Sequence, residues 1–598
     1  MALIHKTILN IACLLIACSC LYATPSISFQ YHVEFYGSHD TNLLALLNSA
    51  SKLVALENSP PTTAAALNRR LEEDIPNLLK ALQSMAYYHA KVDTVVDATQ
   101  SPILIKLTVE TGPIYPFAAF KIQTLNEATA DCVFPLQSIR PQDLGIIIGA
   151  PALPEKIIEA EERLTTLLAK EGYPLAKLIH RDVLADQTEK SISVVFQIDI
   201  GPQATFGTTY ITGDKEILPA FFSRKIAWRE GQKYNPSALV RTANALEASG
   251  LFSSINISHD ETIQLDGSLP MQIAVKEAKH RSVAFGVGYA TDLGFGVNGE
   301  WEHRNMRGMG EKLRCVANIW QIKQEGYVRY IMPDFCSSRQ DLIWQAELEH
   351  EVTKGFRESA INLSGTIERQ LDDQTRISYG GMFTILRNSH SNNNRDFNIF
   401  SVPFQLLWYR TNSLLDPTEG IGIHFKTTPA LQTLDHPFAY VTHLLTTSAY
   451  YPLDACKRFV LAAKGTIGSI WGASDQRIPP SERLYAGSDT LLRGYRYLTV
   501  SPLGPHHKPI GGRSMMVFSL EARMRIVDPF GLVAFYDVGN VYKPSIPQFV
   551  HQQLQSVGLG LRYHTPVGPL RLDIALPLNR RPHLDPSFQV YFSIGQAF

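Results

Sequence analysis

Two stretches in the last third of the chain carry the side chains with the most to do chemically. RLYAGSDTLLRGYRYLTVSP (483–502) holds Arg493, Gly494 and Tyr495 between two strand-like runs, so the triplet belongs to a long connection. GLVAFYDVGNVY (531–542) spaces Phe535, Asp537 and Gly539 two apart, and a strand there points all three to one face. A guanidinium and a carboxylate can pair through two parallel hydrogen bonds. Inside an enclosure such an anion is needed, because an unpaired buried charge is costly. Glu521, in the intervening run MMVFSLEARMRI (515–526), is a second acceptor. The chemistry on offer is electrostatic clamping of a loop. The plainer alternative puts Arg493 on an exposed turn and Asp537 on an ordinary wet strand face.

Bond-making chemistry has no comparable signal. No GxSxG elbow, HExxH pair or P-loop lysine motif occurs, and His506-His507 has no third ligand nearby in a Pro/Gly-rich loop. GFGVNG (294–299) matches GxGxxG formally but opens no helix, so nucleotide binding is rejected. No catalytic residue, metal site or cofactor is expected. Of seven cysteines, Cys13, Cys18 and Cys20 fall in the first twenty residues, leaving Cys132, Cys315, Cys336 and Cys456 without a CxxC pair. A Cys315–Cys336 disulfide forms only if neighbouring strands bring the two together; otherwise they are small buried thiols. Lys plus Arg number 55 against 56 Asp plus Glu, which lacks the basic excess of a nucleic-acid binder.

The elements that must position these residues begin after a leader. His5 and Lys6 precede an apolar run, Ile8–Ala17, and Leu21-Tyr22-Ala23 supplies small residues for cleavage, so residues 1–23 read as a secretory signal. Leu15-Ile16-Ala17-Cys18 also fits a lipoprotein box that would leave a lipid on Cys18. No later run of 18 apolar residues follows. An exported chain of this kind is either soluble outside the cytoplasm or crosses a membrane as strands.

A repeat then occupies residues 26–278. Each unit runs amphipathic helix, aromatic turn, strand, loop, strand. Tyr87, Ala90 and Lys91 recur as Tyr173, Ala176 and Lys177, and Gly172 recurs as Gly250. In the second unit Pro154 pre-sets a first helical turn, Ile157, Ala160, Leu164 and Leu168 share one face, and Gly172 supplies the left-handed stop. Ile192, Val194, Phe196 and Ile198 then alternate with Ser193, Val195, Gln197 and Asp199, as in a strand lying on that helix.

Two-residue alternation takes over in residues 281–598. At roughly 20 residues per strand and connection this allows about sixteen antiparallel strands. Met516, Phe518, Leu520, Ala522, Met524 and Ile526 share one face against Ser519, Glu521, Arg523 and Arg525; Leu570, Leu572, Ile574 and Leu576 oppose Arg571 and Asp573. A soluble sandwich would bury the apolar face, whereas a barrel in lipid turns it outward and encloses the charges. The export signal, the aromatic strand ends and the charge clustered on one face favour lipid. Val283, Phe285, Val287 and Tyr289 of the first strand alternate with Gly286 and Gly288. The last strand carries Phe588, Val590, Phe592, Ile594 and Phe598 on one face, with Gly595 between. Glycines weaken a strand, so the seam between first and last strands is a candidate weak point; a small-residue strand facing a crowded lumen explains them equally well.

The three units resemble POTRA domains, with boundaries at 26–113, 114–202 and 203–278, followed by a barrel over 281–598. Arg493-Gly494-Tyr495 is similar to the lid-loop tip of the BamA/TamA superfamily of outer-membrane assembly proteins, and Phe535-x-Asp537-x-Gly539 resembles its F-x-D-x-G strand. The fold class implied is α+β periplasmic repeats ahead of an all-β transmembrane barrel. Three units resemble TamA-type subunits more than BamA. The resemblance implies an outer-membrane insertion factor, with POTRA-like domains in the periplasm. Its partners would be unfolded barrel or autotransporter clients, the lipid bilayer and an inner-membrane-anchored TamB-like protein, with no nucleic acid. Asp537, Phe535, Gly539 and Glu521 would receive the lid, and Gly286, Gly288, Gly595 and Phe598 would mark the seam. A two-partner-type secretion pore is the alternative.

Overall fold

The computed structural model describes residues 29–124, 139–290, 293–390, 393–549, 553–566 and 568–598. The leader 1–23, including Cys18, lies outside the described residues, as does Cys132.

Three small modules precede residue 280. The first runs β1 (Tyr31–Tyr36), helices Thr41–Ala50, Lys52–Ala55 and Ala64–Ser84, then β2 (Lys91–Asp97) and β3 (Ile103–Glu110). The second has β4 (Phe117–Thr124), helix Pro154–Lys170, β5 (Lys177–Asp186) and β6 (Ser191–Asp199). The third has β7 (Thr205–Thr212), helices Pro219–Lys225 and Pro236–Glu247, β8 (Phe252–His259) and β9 (Ser268–Glu277). In each sheet the last strand is central: β1-β3-β2, β4-β6-β5 and β7-β9-β8. β1 and β4 pair with their central strands in parallel, while β2 and β5 pair antiparallel. The first strand of each module is invisible to a pattern of helix, strand, strand. It is short, and helices separate it from its partner.

Packing follows the apolar stripes. Ile157, Ala160, Leu164 and Leu168 are buried against Ile192, Val194, Phe196 and Ile198, all four of the latter fully enclosed. Full burial contributes roughly 1.5–3 kcal/mol for each large apolar side chain. Gly172 ends the helix at φ +86°. In the first module the fully buried Asp74 accepts hydrogen bonds from Ser51 Oγ and the Lys52 N–H, both at 2.6 Å, so its carboxylate anchors the short helix beside it.

From β10 (Arg281–Ala290) to β26 (Gln589–Ile594) one antiparallel sheet of seventeen strands follows chain order. Two of them share their neighbours. β16 (Thr375–His390) pairs with both β17 (Asn393–Ser401) and β18 (Phe404–Thr411), and β19 (Gly420–Gln432) does the same. The break falls at Pro403, which has no N–H to give a ladder. The Val402 N–H donates to Pro429 O and the Gly380 N–H to Pro403 O on either side of it. β17 and β18 are therefore one interrupted row, and the wall has sixteen rows, the number the alternation allows.

The wall turns its greasy face out. In β22 (Ser514–Val527) Phe518, Leu520 and Ala522 are exposed while Ser519, Glu521 and Arg523 are buried. In β25 (Gly568–Pro577) Leu572, Ile574 and Leu576 are exposed while Arg571 and Asp573 are buried. Enclosed charge with exposed hydrocarbon is the barrel arrangement, not that of a soluble sandwich. β10 and β26 approach to within 8 Å between Cα atoms, but no ladder joins them. Among the described residues no helix is long and apolar enough to cross a membrane. Cys315, Cys336 and Cys456 are free, with Cys336 exposed, so the Cys315–Cys336 bridge is not formed and the buried-thiol alternative fails for Cys336.

The barrel, with segments 211–226 and 242–256 of the third module, forms one compact unit. Within it Lys225 Nζ lies 2.6 Å from Asp334 Oδ2, the Leu218 N–H donates to Gly308 O, and Asn305 Nδ2 donates to Glu216 O.

Candidate functional site

Residues 472–513 join β21 (Phe459–Trp471) to β22 and fold back into the lumen. Single bridges pair Leu484 with Gly512, Ala486 with Val500 and Leu503 with Pro509. Sharp turning at the tip comes from left-handed residues: Gly487 at φ +95°, Leu492 at +61°, Gly494 at +90° and Leu498 at +50°. Leu492 has no glycine freedom to adopt this conformation and is held there by burial. It packs with Tyr495 and Val500 against Met515, Val517, Val541 and Leu554 of the wall.

At the tip, Arg493 is 1% exposed. Its Nε and Nη2 donate to the two oxygens of Asp537 at 2.8 Å each, and its own backbone N–H adds a third bond to Oδ2 at 3.0 Å. Nη1 donates to Glu521 Oε1 at 2.6 Å and reaches Asp573 Oδ2 at 3.4 Å. The ring of Phe535 lies 3.5 Å from the guanidinium carbon. Asp537 and Phe535 belong to β23 (Phe530–Tyr542), whose Gly539 permits close strand approach: a Cβ there would stand 2.4 Å from Met516 O.

Three carboxylates around one guanidinium would be unstable alone. Arg523 donates to Glu521 Oε2 at 2.8 Å, Arg562 of β24 (Leu554–Thr565) to Asp573 Oδ1 at 2.5 Å, and Arg571 to Asp489 Oδ2 at 2.5 Å. Four arginines thus face four carboxylates, and Lys464 adds a cation bonded to Thr490 O at 2.9 Å. Such networks hold only when their members are satisfied together.

The rest of the triplet is fixed as firmly. The Gly494 N–H donates to Tyr591 Oη at 2.9 Å, and a Cβ on Gly494 would lie 3.1 Å from Ser556 Cβ and 3.3 Å from Pro577 N. Tyr495 Oη donates to Gln555 O at 2.8 Å. Arg581, clamped to Asp585, donates to Thr499 O and lies over the Tyr495 ring. The lid also meets distant rows: the Ser481 N–H donates to Glu358 Oε1.

Arg493, Gly494, Tyr495, Phe535, Asp537, Gly539 and Glu521 therefore lie together, whereas the seam set divides. Gly286 faces Asn298 on β11 (Gly294–His303), and Gly288 is exposed. Phe588, Phe592 and Ile594 are exposed as expected, but Phe598 does not share their face. At Gly595, φ +90°, the chain leaves β26 and turns inward, so neither Gly595 nor Phe598 is part of a seam strand. Phe598 meets Tyr450 inside, at 6.3 Å between ring centroids, and its carbonyl accepts from Arg523 Nη2. Asp573, Tyr591, Arg523 and Arg562 are members of the site that the motifs did not indicate. Inward parity already marked Arg523, Arg571 and Asp573; nothing local marked Tyr591.

Residues 305–598 match the family model described as the Omp85 superfamily domain. The barrel half of this chain belongs to the Omp85 superfamily. Curated relatives of this chain include the outer membrane protein assembly factor BamA of Nitratidesulfovibrio vulgaris, 23% identical over 454 residues that cover 73% of this chain and 57% of the relative. BamA of Neisseria meningitidis serogroup B is 20% identical over 604 residues, covering 89% of this chain and 73% of the relative. BamA of Buchnera aphidicola is 26% identical over 42% of this chain and 40% of its own. The chain spans about half the length of two of these relatives, BamA of Nitratidesulfovibrio vulgaris and BamA of Buchnera aphidicola. A crystal structure of Haemophilus ducreyi BamA lacking POTRA domains 1–3 superposes with a TM-score of 0.70 at 19% identity, covering 80% of this chain and 99% of that one. The fold is shared, and the Omp85 barrel lies in the outer membrane with its POTRA-like modules in the periplasm.

Proposed function

We propose that this protein receives unfolded outer-membrane proteins, including autotransporter clients, on its POTRA-like modules and promotes their insertion at the seam of its barrel. The observation that carries this reading is β10. Among the described residues its outer edge has no ladder partner, and its outward side chains Val283, Phe285 and Val287 are each about three-quarters exposed. Such an edge offers unpaired N–H and C=O groups to an arriving strand, whatever that strand's sequence. The modules repeat the offer: β2, β5 and β8 are edge strands, and Ile179, Val183 and Leu184 of β5 are exposed. The lid clamp keeps the lumen filled while the edge is used. A TamB-like partner anchored in the inner membrane would deliver clients to the modules.

The test is depletion followed by an inventory of the outer membrane. Loss of many barrel proteins supports the reading. Normal barrel insertion with failure of a single exported protein, together with ion conductance that rises when the lid is deleted, would establish the secretion pore instead.

A further inference from the structure

The turn between β18 and β19 leaves its own side of the barrel. It joins the eighth and ninth of sixteen rows, yet it reaches the segment that follows the sixteenth as well as side chains of β22 and β24. Leu415 O accepts the Gln596 N–H at 3.1 Å, and Asp416 Oδ1 accepts from Gln596 Nε2 at 2.9 Å. Asp416 Oδ2 lies 3.3 Å from Arg525 Nη2 and 3.2 Å from His564 Nδ1, and Pro417 O accepts from Arg523 Nη1 at 3.2 Å. The turn is held in shape by Asn412, which bonds Thr418 and Glu419, and Lys457 pairs with Glu419 at its base. A turn that had only to connect two neighbouring strands would need none of the contacts to Gln596.

The receiving surface is rich in cationic side chains, of which Arg523, Arg562 and Lys457 are also paired with Glu521, Asp573 and Glu419. Lys457, Arg458, Arg523, Arg525, Arg562 and His564 line one small cavity, and Asp416 is the only carboxylate lining it. Asp528 stands 3.8 Å from Arg525 on the far side. The same strap secures the inward-turned segment: Gln596 donates two hydrogen bonds to it and accepts one from Arg562 Nε, at 2.8 Å. The Leu415 side chain lies against Gly595 and Gly568.

We propose that Asp416 is a positioning residue: it seats a strap, residues 412–419, that pins Gly595–Phe598 inside the lumen, and the strap must release for the β26 edge to be used at the seam. The second clause rests on the insertion function proposed above; the first does not. With the strap seated, β26 ends at Ile594 and the chain beyond it is occupied inside. With the strap lifted, Gln596 loses two of its three partners and the segment is free to leave.

The test uses full-length protein in outer membranes, with Cys132, Cys315, Cys336 and Cys456 replaced by Ser. Ala597→Cys, buried in the seated state, is treated with a membrane-impermeant maleimide. Asp416→Ala should speed its labelling at least tenfold, and Asp416→Glu should restore slow labelling. Unchanged labelling in Asp416→Ala would overturn the strap. A second protein, Leu415→Cys with Gln596→Cys, joins two residues whose backbones already touch. Oxidised, it should stall client insertion, and reduction should restore it. Insertion at the normal rate while oxidised would overturn the need for release. If the wild type itself inserts no clients, the proposed function fails, and the labelling comparison still decides the strap.

Discussion

Tyr591 of the last strand accepts the N–H of Gly494 and donates its own hydroxyl proton to Tyr495 O, at 2.9 and 3.3 Å. The lid tip is therefore tied to the strand that borders the seam, as well as to the nearby rows β22, β23 and β25. Tyr591→Phe leaves a buried N–H without its acceptor, which costs about 1–3 kcal/mol. The barrel should still be recovered from membranes. Its heat-modifiable gel shift should occur at lower temperature, and a cysteine placed in the lid should react faster.

The pairing of Arg493 with Asp537 is open to a double-mutant cycle. Arg493→Ala leaves Asp537, Glu521 and Asp573 short of a buried cation, and breaking such a pair typically costs about 3–5 kcal/mol. Client insertion should be lost with the barrel still in the membrane. Adding Asp537→Ala removes one stranded carboxylate, so the double variant should melt higher than Arg493→Ala alone. Equal melting of the two would show that the charges do not meet.

Gly494→Ala tests the tip by shape. It places a side chain on a left-handed residue and presses it against Ser556 and Pro577. The conformational part alone costs roughly 1–2 kcal/mol. Lid cysteine labelling and single-channel conductance should both rise, while the amount of inserted barrel stays constant.

Orientation of the wall is tested at Leu520, which is exposed between the buried Ser519 and Glu521. Leu520→Arg should lower insertion or stability by about 2–4 kcal/mol if it lies near the bilayer midplane. Folding yield into vesicles measures this. Normal yield would mean that the apolar face does not contact hydrocarbon.

A contrasting pair supplies the control. Arg387 and Asp396 also form two hydrogen bonds, at 3.0 and 3.2 Å, but their side chains are 68% and 46% exposed. Exposed pairs contribute about 0–1 kcal/mol. Asp396→Ala should leave the gel shift and client insertion as they are.

What could be read from the residues was what depends on parity and local turns. Two-residue alternation distinguished Glu521 and Asp537 from their outward neighbours, and it placed Arg571 and Asp573 on the same inner side. The helix ending at Gly172 and the strand carrying Ile192 to Ile198 were equally local. Long-range pairing was hidden. The parallel strands β1 and β4 meet their partners only across intervening helices. Asp573 joins Arg493 from 80 positions away, and no motif announces that meeting. Phe598 misled because parity holds only while the backbone remains a strand, and Gly595 ends it. Pro403 raised the strand number to seventeen without adding a row.

The rows of the wall are not of equal length. β26 has six residues and β10 ten, whereas β16 has sixteen. At roughly 3.3 Å per residue and a tilt near 45°, these span about 14, 23 and 37 Å along the membrane normal. A bilayer matched to these rows would dip at the short ones and rise around β16. Hydrocarbon matched to the wall in this way would be thinnest on the side where the sheet lacks a partner, before any newcomer arrives.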